Sequence, residues 1–250
     1  MKGSPILFSM WLVAACGIEK PVGNDTRPVS YETYTELLQN HVNEDGMVDY
    51  KSMYDDRQKL DNFLNKLASR PPSGKWSDSE KLAYWINAYN AFTLQLILDH
   101  YPVQSIKDIG SLLQIPYVNS VFDIRFIEIN GKKMDLNYIE HQILRKEFEE
   151  PRIHFAINCA SISCPPLRRE AYEASELDQQ LTSQAKLFIQ GPENKITPDR
   201  IKLSKIFSWF KKDFTQNMSL TEYIDQYTPV SVNNNATIQF GDYDWSLNSQ

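Results

Sequence analysis

The sequence predicts an α+β fold, a single helix-rich domain with a small, mostly antiparallel sheet packed around a long buried helix. Three observations predict it. Asp78 to His100 follows the capping box Ser77-Asp-Ser-Glu80 and carries Leu82, Trp85, Ile86, Tyr89, Leu94 and Ile97 nearly all round, the pattern of a helix buried on most faces. Shorter amphipathic helices precede and follow it. Strand signals are few and brief, centred on the Asn130-Gly131 turn and on a ribbon from Lys195 to Leu203.

Each element has its own local reason. Tyr31 to Val42 places Tyr34, Leu37 and Leu38 at helical spacing, and a turn at Asp45-Gly46 leads into a short extended piece, Val48 to Tyr50. Asp56 to Ser69 lines up Leu60, Phe63, Leu64 and Leu67 before Pro71-Pro72 stops the helix. After the long helix and Tyr101-Pro102, Ser105 to Leu113 is a connecting helix or turn. Phe122 to Ile129 alternates apolar with polar residues, and Asn130-Gly131 turns it back into Lys132-Lys-Met134. Asp135 is a plausible N-cap for a helix from Leu136 to Phe148, in which His141 and Arg145 share a face beside Glu140. His154 to Cys159 alternates like a buried strand, and Ala160 to Pro166 reads as a tight loop. Helices follow at Ser175 to Ile189, Ile206 to Phe214 and Leu220 to Tyr227, and Ile238 to Phe240 and Tyr243 to Leu247 close the chain.

The N-terminus reads as an address. Lys2, a short apolar run from Ile6 to Ala15 and the tetrapeptide Val13-Ala-Ala-Cys16 resemble a bacterial lipoprotein signal, and the run is too short to span a bilayer stably. The expected organisation is a signal peptide at 1–15, a tether at 16–30 beginning with an acylated Cys16, and one domain at 31–250. Several acyl chains on Cys16 suffice for stable anchoring. Gly17 after the cysteine points to the outer membrane, facing the periplasm. The partners expected are therefore the membrane and an envelope protein or small substrate. Nucleic acid is excluded by a net charge of −6 and the absence of any cluster of Lys and Arg.

Chemistry concentrates in His154-Phe-Ala-Ile-Asn-Cys159-Ala-Ser-Ile-Ser-Cys164-Pro-Pro166, which holds two of the three cysteines and one of the four histidines. In an exported protein such a pair forms a disulfide more often than not, and a loop of this length can bring Cys159 and Cys164 within bridging range. Asn87 and Asn90 lie one turn apart in the buried helix and must find partners, either by tying loops to the core or by orienting a catalytic imidazole.

Three segments together resemble one family: Trp85-Ile-Asn87-Ala-Tyr89-Asn90, Ile139-Glu140-His141-Gln-Ile-Leu144-Arg145, and the Cys159 stretch. They look like the domain of unknown function 547. Trp209-Phe-Lys-Lys-Asp213-Phe214 and Tyr243-Asp-Trp-Ser-Leu-Asn248 also resemble its bacterial members, so the likeness runs from about Tyr31 to Asn248. The resemblance implies an uncharacterised α+β domain, often in exported bacterial proteins, and no reaction. The family's usual Cys-Gly is here Cys159-Ala160, which reduces backbone freedom.

Two main functional readings follow. In the first, Asn87, Asn90, Glu140, Arg145 and Asp135 are structural and the chain is a binding or scaffold module of the envelope. The alternative is a cysteine-dependent hydrolase or acyl transferase, with Cys159 as nucleophile, His141 or His154 as base, and Asn87, Asn90 or Glu140 as orienting group. Zinc is set aside because His-x4-Cys-x4-Cys does not match the common knuckle spacing. No cofactor motif is present: Gly-x-Gly-x-x-Gly, the phosphate-binding Gly-x4-Gly-Lys-Ser/Thr, His-Glu-x-x-His and Gly-x-Ser-x-Gly are all missing.

Overall fold

The computed structural model describes residues 27–113 and 120–250, and the expected signal segment and Cys16 lie outside them. The fold is α+β in one domain. Helices α1 (Glu32–His41), α2 (Tyr50–Asp55) and α3 (Arg57–Ser69) gather on the long α4 (Asp78–His100), and α3 lies directly against α4. The Ser77 hydroxyl accepts from the Glu80 N–H and the Glu80 carboxylate accepts from the Ser77 N–H, so the capping box forms as expected. Ala83, Tyr84, Ile86, Ala88, Tyr89 and Ile97 of α4 are buried. Trp85 is only half-buried, its ring edge-on to Tyr84 at 5.0 Å, so it flanks the core. The extended piece expected at Val48 to Tyr50 is cut short, because Asp49 accepts from the Ser52 N–H and starts α2 at Tyr50.

Helix α5 (Ile106–Leu113) is followed, past the undescribed segment, by a 3-10 turn at Val121–Asp123, so the alternation at Phe122 to Phe126 is not a strand. The hairpin proper is β1 (Ile127–Ile129) against β2 (Lys132–Met134). Asn130 and Gly131 both have positive φ, 51° and 71°, the backbone that a two-residue hairpin turn demands. Asp135 accepts from the Tyr138 N–H at 2.7 Å and opens the next helix. That helix is π-helical over Tyr138–Leu144 before it becomes α6 (Arg145–Glu147).

The motif segment departs from expectation. Ile153–Ala156 is a short helix, α7, and not a strand. The turn at Glu150-Pro151 starts it: the Ile153 N–H donates to the Glu150 carbonyl and the His154 N–H to that of Pro151. A helical turn also divides the side chains between two cores. Ile153 and Ala156 join the core around α4, while Phe155 packs on Phe188, Phe207 and Phe214 in the second. Packing on both sides overrides a two-residue alternation that lacks a partner strand.

The second core lies under α8 (Leu177–Ile189), β3 (Lys195–Ile196), β4 (Arg200–Leu203), α9 (Lys205–Trp209), α10 (Lys211–Phe214), α11 (Leu220–Asp225) and β5 (Thr237–Phe240). β4 pairs antiparallel with β3 and parallel with β5, so the expected single sheet is two separate small ones. The last residues fold back over the motif loop: Ile162 and Ser163 donate from their N–H groups to the carbonyls of Ser246 and Asp244. Among the described residues no helix is long and apolar enough to cross a membrane.

Candidate thiol site

Residue 159 is placed by α4. The Asn90 side chain donates to the Ala156 carbonyl at 2.9 Å and accepts from the Asn158 N–H at 2.8 Å, which pins the chain as it leaves α7. Asn158 then staples the loop from within, donating to the Pro165 carbonyl and accepting from the Ala160 N–H. Ala160 sits at φ 57°, a left-handed conformation that a glycine would adopt without strain. Asn87 makes the same kind of clamp elsewhere, on the backbone of Tyr172 at 2.8 and 2.9 Å, and takes no part in the site.

Cys159 and Cys164 are both free thiols. Their sulfurs lie 2.9 Å apart, beyond the covalent length of about 2.05 Å, so the expected bridge is not formed. Half-buried Cys159 also meets the hydroxyls of Ser161 at 3.2 Å and Tyr243 at 3.1 Å. These groups stabilise a thiolate. The Cys164 thiol contributes most, outweighing the opposing effect of burial, and with the two hydroxyls lowers Cys159 to about 7. Burial, followed by the neighbouring Cys159, pushes Cys164 well up, so one sulfur of the pair ionises and the other donates.

Cys159, Glu140, His141 and His154 line one solvent-open cavity of about 170 Å³. Glu140 is buried, and burial first, then the Cys159 charge, raises its carboxyl to about 8. At neutral pH it is therefore mostly protonated. The π-helical turn carries Glu140 and His141 side by side on the cavity wall, the kind of local irregularity often found at functional sites.

The two imidazoles are occupied away from the sulfur. His154 stacks on Phe210 at 3.9 Å, and its Nε2 is 2.7 Å from Asp213. Arg145 grips both oxygens of the same carboxylate at 2.6 and 2.9 Å and donates to His141 Nδ1 at 3.1 Å. Because arginine only donates, His141 is a neutral imidazole protonated on Nε2. Burial lowers both histidines, with Arg145 adding to the effect at His141 and Asp213 opposing it at His154. Burial alone would raise Asp213, but hydrogen bonds from His154 and Arg145 hold it well below the usual carboxylate range. Neither imidazole is among the hydrogen-bond partners of Cys159, which are Cys164, Ser161 and Tyr243.

The structure thus brings Cys159, Cys164, Glu140, His141 and His154 to one cavity, sets Arg145 behind the histidines, and leaves Asn90 as a positioning residue. Asp135 caps its helix. Asp213 and Tyr243 were not singled out as site residues, although both lie in stretches that resemble bacterial members of the family. Among the described residues no group of three His, Cys, Asp or Glu side chains is placed to hold a metal ion.

Fold and site therefore describe an α+β domain built around a thiol pocket. Residues 73–189 match the model of the family described as protein of unknown function, DUF547, which supports that family for the segment carrying α4, the π-helical turn and both thiols. The match is narrower than the span expected from the sequence and leaves Asp213, Tyr243 and Trp245 outside it. No curated protein and no solved structure matches the chain.

Proposed function

We propose that the chain is a cell-envelope lipoprotein whose pocket performs thiol-dependent acyl transfer or hydrolysis. One observation carries this reading: Cys159, lowered to about 7 by three donors, lines a cavity with a carboxyl raised to about 8. A preformed thiolate needs no imidazole base, which accounts for histidines committed to Asp213 and Arg145. The thiolate attacks the carbonyl carbon of an ester, thioester or amide, and the π pair moves onto oxygen. Collapse of the tetrahedral intermediate expels the leaving group, which takes the Glu140 proton. Water or a second nucleophile then cleaves the Cys159 thioester, releasing the acyl group and regenerating the thiol. The N–H groups of Cys159 and Ala160 are already donated to Cys164 Sγ and Asn158 Oδ1. Ser161 donates to the Tyr243 oxygen, and the Tyr243 hydroxyl is left as the donor beside the sulfur for a developing oxyanion.

The envelope address rests on the lipobox-like Val13-Ala-Ala-Cys16 after a short apolar run. The competing reading, a binding or scaffold module, draws on Asn87 and Asn90, both spent on clamping backbone. Trapping separates the two. Incubation with a p-nitrophenyl ester, followed by intact-mass analysis, is expected to show an acyl adduct on Cys159 that is lost in Cys159→Ser. A protein that never acylates while binding the ester's acid or an envelope partner would favour the scaffold.

A further inference from the structure

Resting on that thiol reading, the shape and charge of the same pocket constrain what it accepts. Trp209, Tyr243 and Trp245 form a contiguous wall, with ring centroids 4.8 Å apart for Trp209 and Tyr243, 4.6 Å for Tyr243 and Trp245, and 5.9 Å for Trp209 and Trp245. Trp209 is 46% exposed, so the wall presents an open aromatic face at the pocket. Phe122, at 6.2 Å from Trp245, extends the wall. Tyr243 ties it to the chemistry, since its hydroxyl touches the Cys159 sulfur.

The pocket holds neutral donors, the His141 Nε2–H and the protonated Glu140 carboxyl among them, but no Lys or Arg lines it. Arg145, the cation behind the imidazoles, is held by Asp213 and His141, and Lys107 lies over the Trp245 ring without lining the cavity. The charge that remains is that of the sulfur itself. A carboxylate on the substrate would meet a thiolate in a partly dehydrated pocket with no positive charge on its lining to compensate it.

We infer that the pocket selects an uncharged acyl donor bearing an aromatic or other flat apolar group, with Trp209, Tyr243 and Trp245 as the specificity-determining wall. Such a group covers the exposed face of Trp209 and places its carbonyl beside the sulfur that Tyr243 contacts. Offset or edge-on ring packing supplies the orientation.

Three haloacetyl reagents test this on the folded, non-lipidated chain: iodoacetamide, N-benzyliodoacetamide and iodoacetate, with each rate divided by that for glutathione. The benzyl reagent is expected to label Cys159 about tenfold faster than iodoacetamide, the factor that burying one ring's apolar surface provides. Iodoacetate is expected to be at least about tenfold slower than iodoacetamide. Trp209→Ala should bring the benzyl preference down to a few-fold or less, Trp209→Phe should keep most of it, and Leu187→Ala, exposed on a different cavity, should match the wild type. Labelling of Cys159 with the same ratios as glutathione overturns the specificity and leaves the thiol reading standing. Failure of all three reagents to label the folded protein overturns both.

Discussion

The side chain of Asn90 holds the backbone of Asn158 at 2.8 Å across 68 positions of sequence, and through that bond the buried helix α4 positions the thiol one residue further on. The pocket's nucleophile is thus referenced to the long buried helix of the first core.

Asn90→Ala leaves the Asn158 N–H and the Ala156 carbonyl without their partner in a buried place. A loss of about 2 to 6 kcal/mol is expected in urea denaturation, at about 1 to 3 kcal/mol per orphaned group. Asn87→Ala should cost a similar amount because it clamps Tyr172 in the same way. The two variants differ at the thiol: Asn90→Ala should change the pH dependence of Cys159 alkylation, whereas Asn87→Ala should not.

Much of this scaffold was legible in the sequence, and its failures have physical causes. Helix α4 could be placed to the residue because a capping box and an apolar surface are both local signals. Asp135 as a cap and Asn130-Gly131 as a turn are local too. The motif segment was misread because alternation over six residues cannot distinguish a strand from a helical turn facing two cores, and only tertiary packing decides it. Asp213 is 59 positions from His154, and nothing in its neighbourhood announces a partner so distant. The π-helical turn carrying Glu140 also escapes notice, since its residues suit an ordinary α-helix equally well.

Cys164→Ala should raise the Cys159 pKa from about 7 toward the ordinary thiol range near 8.5, because the largest stabilising donor is removed. At pH 7 the thiolate fraction then falls roughly tenfold. Iodoacetamide kinetics as a function of pH read this directly, and a profile that stays at 7 would show that Cys164 is not the donor.

Glu140 offers a test by stability. Its folded pKa, about 8, lies above the unfolded value near 4.5, so its contribution is fully present below pH 4.5 and is lost as pH rises through 8. Glu140→Gln removes that loss. The variant should gain on the wild type by on the order of 3 to 5 kcal/mol between pH 5 and pH 8. Parallel urea midpoints across this window would show that the carboxyl ionises normally.

The proposed anchor is tested by Cys16→Ser, which should move the chain from the membrane pellet to the soluble fraction of the cell envelope. An unchanged partition, or a mature protein that retains Met1, would remove the lipoprotein reading.

The measurement that tests the thiol pocket most directly is the pH–rate profile of iodoacetamide on the folded wild-type chain, with the adduct located by peptide mapping. The account predicts labelling of Cys159 ahead of Cys164, without added reductant or denaturant, with a half-maximal rate near pH 7. Thiols that react only after reduction and unfolding would contradict it and identify a structural bridge in place of a nucleophile.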